Sequence, residues 1–244
     1  MELNKRSKQL RLEAIKLSKA NGGYHYGGTF SCAEILINLY DEIMTFPEDK
    51  FILSKGHACW IYYVLLRERG HNPKLEAHPT YDEFNGVHCT TGSLGHGLPI
   101  GIGRAWAKKM KKEKGNVYVL LGDGECQEGT LWESLLTASF RKIDNIVAIV
   151  DWNKIQGSGF VDDILPIDSL ENVAVSCGWE VAIIDGHNNE EILNSLKFPR
   201  PEKPYMIIAE TVKGKGVSYM ENNPKWHANW PDIEHENIAI EELQ

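Results

Sequence analysis

The stretch from residue 117 to residue 156 constrains the fold more than any other part of the chain. Residues 117–121 and 146–150 are apolar runs of strand length, and residues 128–141 between them carry apolar side chains at helical spacing. This order predicts a strand–helix–strand unit with two parallel strands and a right-handed crossover. The first run is followed by Asp123 and the second by Asn153. Because ligands bind at the carboxyl ends of the strands in open α/β sheets, we expect both side chains to face a binding site.

These two polar strand ends have the chemistry of a magnesium site. Asp123 offers a carboxylate oxygen and Asn153 an amide oxygen, and such hard ligands suit Mg²⁺ or Ca²⁺ rather than zinc. Gly122 and Gly124 lack a Cβ, so the backbone beside Asp123 can come close to a diphosphate. The amides at the start of the following helix favour an anion at the same place. The pattern therefore predicts a Mg²⁺ ion that shares its coordination shell with a phosphate ligand.

Two nucleotide-binding motifs are alternatives for the same stretch. A Rossmann site would use Asp151 for a ribose, but Gly122, Gly124 and Gly129 do not make the G-x-G-x-x-G pattern. A P-loop would need a lysine where Thr130 stands. The Gly-Asp-Gly triplet alone is also a common turn, so it does not establish a ligand site without further motifs.

Composition narrows the class of protein. The 244 residues are 42% hydrophobic, which suits one large α/β domain over residues 1–244. A net charge of −8 without a basic cluster opposes nucleic-acid binding. No apolar run reaches the ~18 residues of a membrane span, and the polar residues 1–8 do not resemble a signal peptide. The five cysteines form no C-x-x-C pair, which predicts reduced thiols in a cytoplasmic protein.

Outside the central stretch, the spacing of apolar residues and the turn signals predict further elements. Helices are expected at 7–20, 31–40, 59–69, 98–111, 167–177, 190–196 and 232–243. Strands are expected at 51–53, 180–184 and 205–212. Ser31 or Thr29 is the expected cap of the second helix. Residues 70–90 and 157–166 are expected to be loops, and residues 198–201 should end the helix before them.

Several motifs together resemble the transketolase branch of the thiamine diphosphate-dependent enzymes. Gly-Asp-Gly followed by an asparagine thirty residues after Asp123 is similar to the thiamine diphosphate motif. The other similar words are Q-E-G at 127–129, N-K-I at 153–155, S-K-G-H-A at 54–58, T-G-S-L-G-H-G at 91–97 and K-G-K-G-V at 213–217. The resemblance covers nearly the whole chain but only the N-terminal part of a full-length transketolase. It implies the thiamin diphosphate-binding fold, an α/β diphosphate-binding domain whose parallel sheet has helices on both faces.

The resemblance also implies roles for individual residues. Asp123, Asn153 and the backbone carbonyl of Ile155 would hold Mg²⁺. The other cofactor-binding residues would be His57, Gly92, Leu94, Gly122, Gly124, Glu125 and His227. His25, His78 and His227 would face the substrate hydroxyls, where a neutral imidazole can move protons near pH 7. Glu128 corresponds to a family glutamate that communicates between paired active sites.

Five other positions depart from the family pattern or match no proposed role. Tyr26 stands where a proline or an aliphatic residue is more usual, and His96 where glutamine is usual. His96 either tunes the substrate pocket or is neutral. His71 and His88 match no motif and are expected to be surface or packing residues. His187 follows a strand end and is expected to be structural.

The function that the resemblance implies is ketol transfer with thiamine diphosphate and Mg²⁺, which moves a two-carbon unit from a ketose to an aldose acceptor. The family's pyrimidine-binding domain is absent from this chain, so we expect a C-terminal partner subunit that carries it and an α2β2 heterotetramer. One alternative is a related enzyme that acts on a modified sugar, which Tyr26 and His96 leave open. Another is the alpha-type subunit of a 2-oxoacid dehydrogenase, against which the histidine set argues. A non-catalytic subunit or an NAD-binding protein is the alternative from a different class.

Overall fold

A computed structural model of the chain describes residues 3–198 and 202–244. Its centre is a five-stranded, fully parallel sheet with the strand order β1-β2-β3-β7-β6. The strands of this sheet are β1 Lys50–Leu53, β2 Val117–Gly122, β3 Ile146–Trp152, β6 Glu180–Asp185 and β7 Tyr205–Glu210. A separate antiparallel pair consists of β4 Ile155–Gln156 and β5 Gly159–Phe160.

Helices cover both faces of the sheet, as the resemblance implies. They are α1 Leu3–Ala20, α2 Tyr26–Ser31, α3 Ala33–Ile37, α4 Trp60–Glu68, α5 Gly97–Lys111, α6 Gly129–Phe140, α7 Val161–Ile164, α8 Leu170–Ser176, α9 Asn189–Lys197 and α10 Ile233–Leu243. A π-helical turn, Asn38–Ile43, extends α3. Short 3₁₀ turns lie at Gly56–Ala58, Glu83–Asn85, Gly124–Gln127 and Pro224–Trp226.

Two apolar cores lie on opposite faces of the sheet because side chains alternate along each strand. Along β2, Tyr118 and Leu120 belong to the core that contains α1, α3 and α4. Val117, Val119 and Leu121 belong to the core that contains α5, α6 and α8. A parallel strand buried on both faces reads as a continuous apolar run, and this explains why β2 and β3 were recognisable from the sequence.

The predicted strand–helix–strand unit is confirmed. β2 pairs with β3 in parallel, with Val117 opposite Ile146, and α6 connects the two strands. Gly122 and Asp151 are the last pair in this register, so the residues after both strands lie at one edge of the sheet. The other predicted strands and helices are present, with bounds that differ by a few residues.

The predicted helix from about Ser31 corresponds to α3, which begins at Ala33 with Cys32 at its N-cap, so the predicted cap at Ser31 or Thr29 is wrong. The preceding helix α2 was not predicted: it begins at Tyr26, and the carbonyl of His25 accepts hydrogen bonds from the backbone N–H and the hydroxyl of Thr29. The hydroxyl of Ser31 donates to Asp151 Oδ2 at 2.5 Å instead of capping a helix. A Cβ at position 27 would come within 3.0 Å of the Trp226 carbonyl and 3.1 Å of the Lys213 side chain. Glycine at this position of the helix is therefore a packing requirement.

The predicted loop at 157–166 is also wrong, since β5 and α7 lie within it. The backbone N–H of Val161 donates to the carbonyl of Lys154 at 2.9 Å, and the Val161 side chain is buried. Elements this short contain too few residues to show a periodic spacing of apolar side chains. Of the expected helix end at 198–201, residues 199–201 lie outside the described part of the chain. Within that part, no helix is long and apolar enough to cross a membrane.

Candidate active site

A cavity of about 450 Å³ opens at the carboxyl ends of the parallel strands. All of the predicted site residues except Glu128 line it, namely His25, His57, His78, Gly92, Leu94, Gly122, Asp123, Gly124, Glu125, Asn153, Ile155 and His227. Residues that the sequence analysis did not select also line it, namely Gly28, Lys55, Gln127, Gln156, Gly157 and Lys213. The fold thus brings together motifs that are distant in the sequence.

Asp123 and Asn153 are held in place by the turns that follow β2 and β3. The buried Asp123 carboxylate accepts a hydrogen bond from Gly124 N at 2.7 Å and another from the backbone N–H of Lys154. Lys154 adopts a left-handed conformation with φ 66°, which turns its N–H toward Asp123. Asn153 Nδ2 donates to Asp151 Oδ2 at 2.9 Å, and this bond orients the amide oxygen. Burial raises the pKa of Asp123 to about 6.

A buried lysine approaches the oxygens of the predicted metal site. Lys213 Nζ donates to the carbonyl of Ile155 at 2.7 Å and lies 3.5 Å from Asn153 Oδ1. Burial lowers the pKa of Lys213 to about 8, although the nearby carboxylates of Asp123 and Asp151 oppose this shift. Two of these oxygens therefore already contact a cation of the protein itself.

This donor set fits a hard divalent cation. It combines one carboxylate, one amide oxygen and one backbone carbonyl, which are the ligand types that Mg²⁺ accepts. Residues 3–198 and 202–244 contain no group of three or more His, Cys, Asp and Glu side chains arranged to hold a metal. A cation here would therefore need further ligands from water or from a phosphate, as the sequence pattern predicts.

Asp151 lies behind the cavity rather than in its wall. Its carboxylate forms an ion pair of 2.5 Å with Lys55, and both side chains are buried. It also accepts hydrogen bonds from Ser31, Thr211 and Asn153. Burial disfavours its charge, but the Lys55 ammonium outweighs burial and lowers the pKa of Asp151. A residue so fully occupied by protein donors is not available for the ribose contact of a Rossmann site.

Three histidines form the opposite part of the cavity. The ring centroids of His25, His57 and His227 are 5.3–5.7 Å apart. Burial lowers the pKa of His25 to about 4 and that of His227 to about 3, and it lowers the pKa of His57 well below the usual range. All three imidazoles are therefore neutral at pH 7 and can each donate and accept a hydrogen bond. His227 Nδ1 is buried and has no hydrogen-bond partner in the described residues.

Two residues of the cavity wall, His25 and Gly92, have left-handed backbone conformations. His25 has a left-handed φ of 68°, which is rare for a non-glycine residue and is found mainly at turns and functional sites. Tyr24 stacks on its ring at 4.4 Å between centroids. Gly92, at φ 138°, lies against the His78 ring, where a Cβ would come within 3.3 Å. The loop that carries Gly92 therefore requires glycine at this position.

The two glutamates after β2 have different surroundings. The buried Glu125 carboxylate accepts hydrogen bonds from the Ser54 hydroxyl, from Gly95 N at 2.8 Å and from Gly122 N at 3.1 Å. It joins three of the loops that line the cavity, and its contacts are those of a positioning residue. Glu128 is exposed at the start of α6 and lies outside the cavity. Its predicted role between paired active sites stays a prediction.

The remaining singled-out residues do not line the cavity. His96 is exposed and makes local contacts, with Ser93 Oγ at 3.2 Å and the Leu94 carbonyl at 3.0 Å. Tyr26 is buried in the core, and His88 is buried against the backbone of β1. His187 accepts a hydrogen bond from Val212 N at 2.9 Å and contacts the Glu34 carboxylate at the same distance. These contacts agree with the packing and structural roles expected for His88 and His187.

Fold and site together define an α/β domain with a polar cavity at the carboxyl ends of its parallel strands. A family described as "Transketolase, thiamine diphosphate binding domain" matches residues 4–239. Among solved structures, the transketolase of Campylobacter jejuni has a TM-score of 0.87 at 27% identity, over 100% of this chain and 43% of that one. The chain therefore belongs to the transketolase family and has its thiamin diphosphate-binding fold.

Sequence relatives show which part of a transketolase the chain corresponds to. It is 38% identical to one subunit of the apulose-4-phosphate transketolase of Actinobacillus succinogenes, over 100% of this chain and 96% of that protein. It is 34% identical to the 6-deoxy-6-sulfo-D-fructose transketolase subunit SqwG of a Clostridium species, over 90% of this chain and 88% of that protein. Human transketolase is 34% identical, but the match covers only 38% of its length. The chain is thus an N-terminal transketolase subunit of the split type.

Proposed function

We propose that this chain binds the diphosphate of thiamine diphosphate through Mg²⁺ and, with a partner subunit, transfers a two-carbon ketol unit from a ketose to an aldose. The observation that supports this most is that the Asn153 amide oxygen and the Ile155 carbonyl both contact one buried ammonium, in a cavity that the Asp123 carboxylate and three neutral histidines also line. In this proposal Asp123, Asn153 and the carbonyl of Ile155 are the metal ligands.

Residues of this chain would contact the diphosphate of the cofactor. Gly122 and Gly124 let the backbone come close to the phosphates, and His57, Gly92 and Leu94 form the wall beside them. The Glu125 carboxylate fixes the loops beside this wall, because it accepts hydrogen bonds from Ser54, Gly95 and Gly122. Thiamine diphosphate supplies the chemistry that breaks and forms the carbon–carbon bond.

The histidines would orient the substrate and move protons. His25, His78 and His227 line the cavity, and the lowered pKa values of His25 and His227 keep both neutral at pH 7. A neutral imidazole can give a hydrogen bond to one substrate hydroxyl and accept one from another. The unpartnered Nδ1 of His227 is a group that a ligand can satisfy.

A partner subunit would complete the site. The two relatives that the chain matches over 96% and 88% of their own length are named as subunits, whereas the chain spans only 38% of human transketolase. We propose that residues 1–244 act as one diphosphate-binding domain, and that a C-terminal subunit brings the pyrimidine-binding domain in an α2β2 heterotetramer. The exposed Glu128 would then contact the neighbouring site. The cysteines are all free thiols, which supports a cytoplasmic enzyme.

A modified sugar is an alternative substrate within the same reaction. The names of the two split relatives point to apulose 4-phosphate in one and to 6-deoxy-6-sulfo-D-fructose in the other. Tyr26 and His96 do not line the cavity, so neither indicates the sugar directly. The choice of ketose is therefore a question for a substrate panel.

The test is ketol transfer by the purified chain with and without its partner subunit. We expect transfer from one of apulose 4-phosphate, 6-deoxy-6-sulfo-D-fructose or fructose 6-phosphate only when both subunits, thiamine diphosphate and Mg²⁺ are present. Transfer by the chain alone would contradict the partner requirement. Absence of transfer from every ketose by the assembled enzyme would contradict the function. Quenching of tryptophan fluorescence by NAD rather than by thiamine diphosphate would favour a nucleotide-binding protein.

A further inference from the structure

Lys213 Nζ uses the same oxygens as the proposed metal site. It donates to the Ile155 carbonyl at 2.7 Å and lies 3.5 Å from Asn153 Oδ1, and the Asp123 carboxylate attracts it. A magnesium ion binds its oxygen ligands at about 2.0–2.1 Å. An ammonium and a divalent cation at those oxygens would therefore be like charges within a few ångströms of each other. The two cations therefore oppose each other electrostatically.

Two other buried carboxylates at this end of the sheet, Asp151 and Glu125, are poor receivers for the displaced ammonium because protein donors already occupy them. The Asp151 carboxylate is already occupied by Lys55, Ser31, Thr211 and Asn153. The Glu125 carboxylate accepts three other hydrogen bonds. A buried ammonium without a partner is costly, so Lys213 needs a new anion when it leaves the oxygens.

Lys213 is only 2% exposed and lines the cavity, so the cavity is the open space next to its ammonium. The phosphate groups proposed to share the metal's coordination shell would be the nearest anion there.

We propose that Lys213 competes with the divalent cation for these oxygens, and that a diphosphate receives its ammonium and so releases the oxygens to the metal. The inference rests on the proposed metal and diphosphate site. It makes the binding of metal and diphosphate cooperative, because the diphosphate removes the competitor of the metal. By linkage the metal favours diphosphate binding to the same extent.

The experiment measures Mn²⁺ binding to the full chain by electron paramagnetic resonance, alone and with inorganic pyrophosphate, in the wild type and in Lys213→Met. Removal of the competing ammonium should tighten the binding of Mn²⁺ alone by about tenfold, within the usual 5–150-fold range of coupling between sites. The same change should weaken the binding of pyrophosphate. A merely structural role would weaken both, so the opposite directions identify the competition.

Two further variants make the test sharp. Lys213→Gln keeps a donor for the Ile155 carbonyl without the charge, and it should also tighten Mn²⁺ binding even if Lys213→Met folds poorly. Lys215→Met removes a charge from the same loop, where Lys215 lies 3.8 Å from Glu221, and should change nothing.

The outcomes separate this inference from the proposed function. Unchanged or weaker Mn²⁺ binding in both Lys213 variants would overturn the inference, and so would an equal gain in Lys215→Met. In those cases, Mn²⁺ binding to the wild type with pyrophosphate would still support the metal site. If no variant bound Mn²⁺ even with pyrophosphate, the metal site itself would be refuted and the inference with it.

Discussion

Replacing Asp151 by asparagine should destabilise the fold rather than act directly on ligand binding. Asp151 has no exposed surface, and Lys55 is 2% exposed. The substitution removes the negative charge and leaves the Lys55 ammonium buried without a counter-ion. The carboxylate also accepts hydrogen bonds from Ser31, Thr211 and Asn153, so the change disturbs a network that joins α2 to the ends of β3 and β7.

The expected loss follows from the burial of the pair. Breaking a buried ion pair by removing one partner costs about 3–5 kcal/mol. That is a large part of the roughly 5–15 kcal/mol that stabilises a typical protein. At roughly 2–4 °C per kcal/mol for a chain of this size, the melting temperature should fall by about 6–20 °C.

Thermal and urea unfolding followed by circular dichroism would measure this loss. Asp162→Asn is the matched control, because Asp162 is exposed, and it should change stability by less than about 0.5 kcal/mol. The double variant Lys55→Met/Asp151→Asn removes both charges and should cost at least about 1 kcal/mol less than the sum of the single changes. Additive losses, or an Asp151→Asn variant as stable as the wild type, would refute the reasoning.

Three further results are expected. Asp123→Ala should abolish Mg²⁺-dependent thiamine diphosphate binding in calorimetry on the assembled enzyme, whereas Asp162→Ala should not; retained binding heat in Asp123→Ala would contradict the metal site. His25→Asn, which tolerates the left-handed backbone, should lower turnover by roughly 10²-fold, while His71→Asn, outside the cavity, should be near neutral; equal effects would mean that the role is wrongly assigned. Burial raises the pKa of Glu34, but its bonds to His187 and Arg11 outweigh burial and lower it from 4.5 to about 2. Glu34 should therefore account for about 3 kcal/mol of the stability that the wild type loses between pH 4.5 and pH 2, and Glu34→Gln should lose less by that amount; parallel curves in a pH series of melting temperatures would exclude this.

Much of the fold was predictable because its signals are local. β2 and β3 are buried on both faces, so their sequences are continuous apolar runs. The helix α6 between them has buried apolar side chains at clear helical spacing. The helix α2 was not predictable, because its start depends on the packing of Gly27 against Lys213 far away in the chain. Elements as short as β5 and α7 bury too few side chains to leave a pattern.

The candidate site divides in the same way. The sequence by itself determined that strands end just before Asp123 and Asn153, because strand ends are recognised from neighbouring residues, and the resemblance to a known family added the histidines. Only the tertiary structure decided that Asp151 is the buried partner of Lys55 and that Lys213 approaches the carbonyl of Ile155. These pairs are 96 and 58 residues apart, and no local pattern specifies which buried charges meet once two loops pack together.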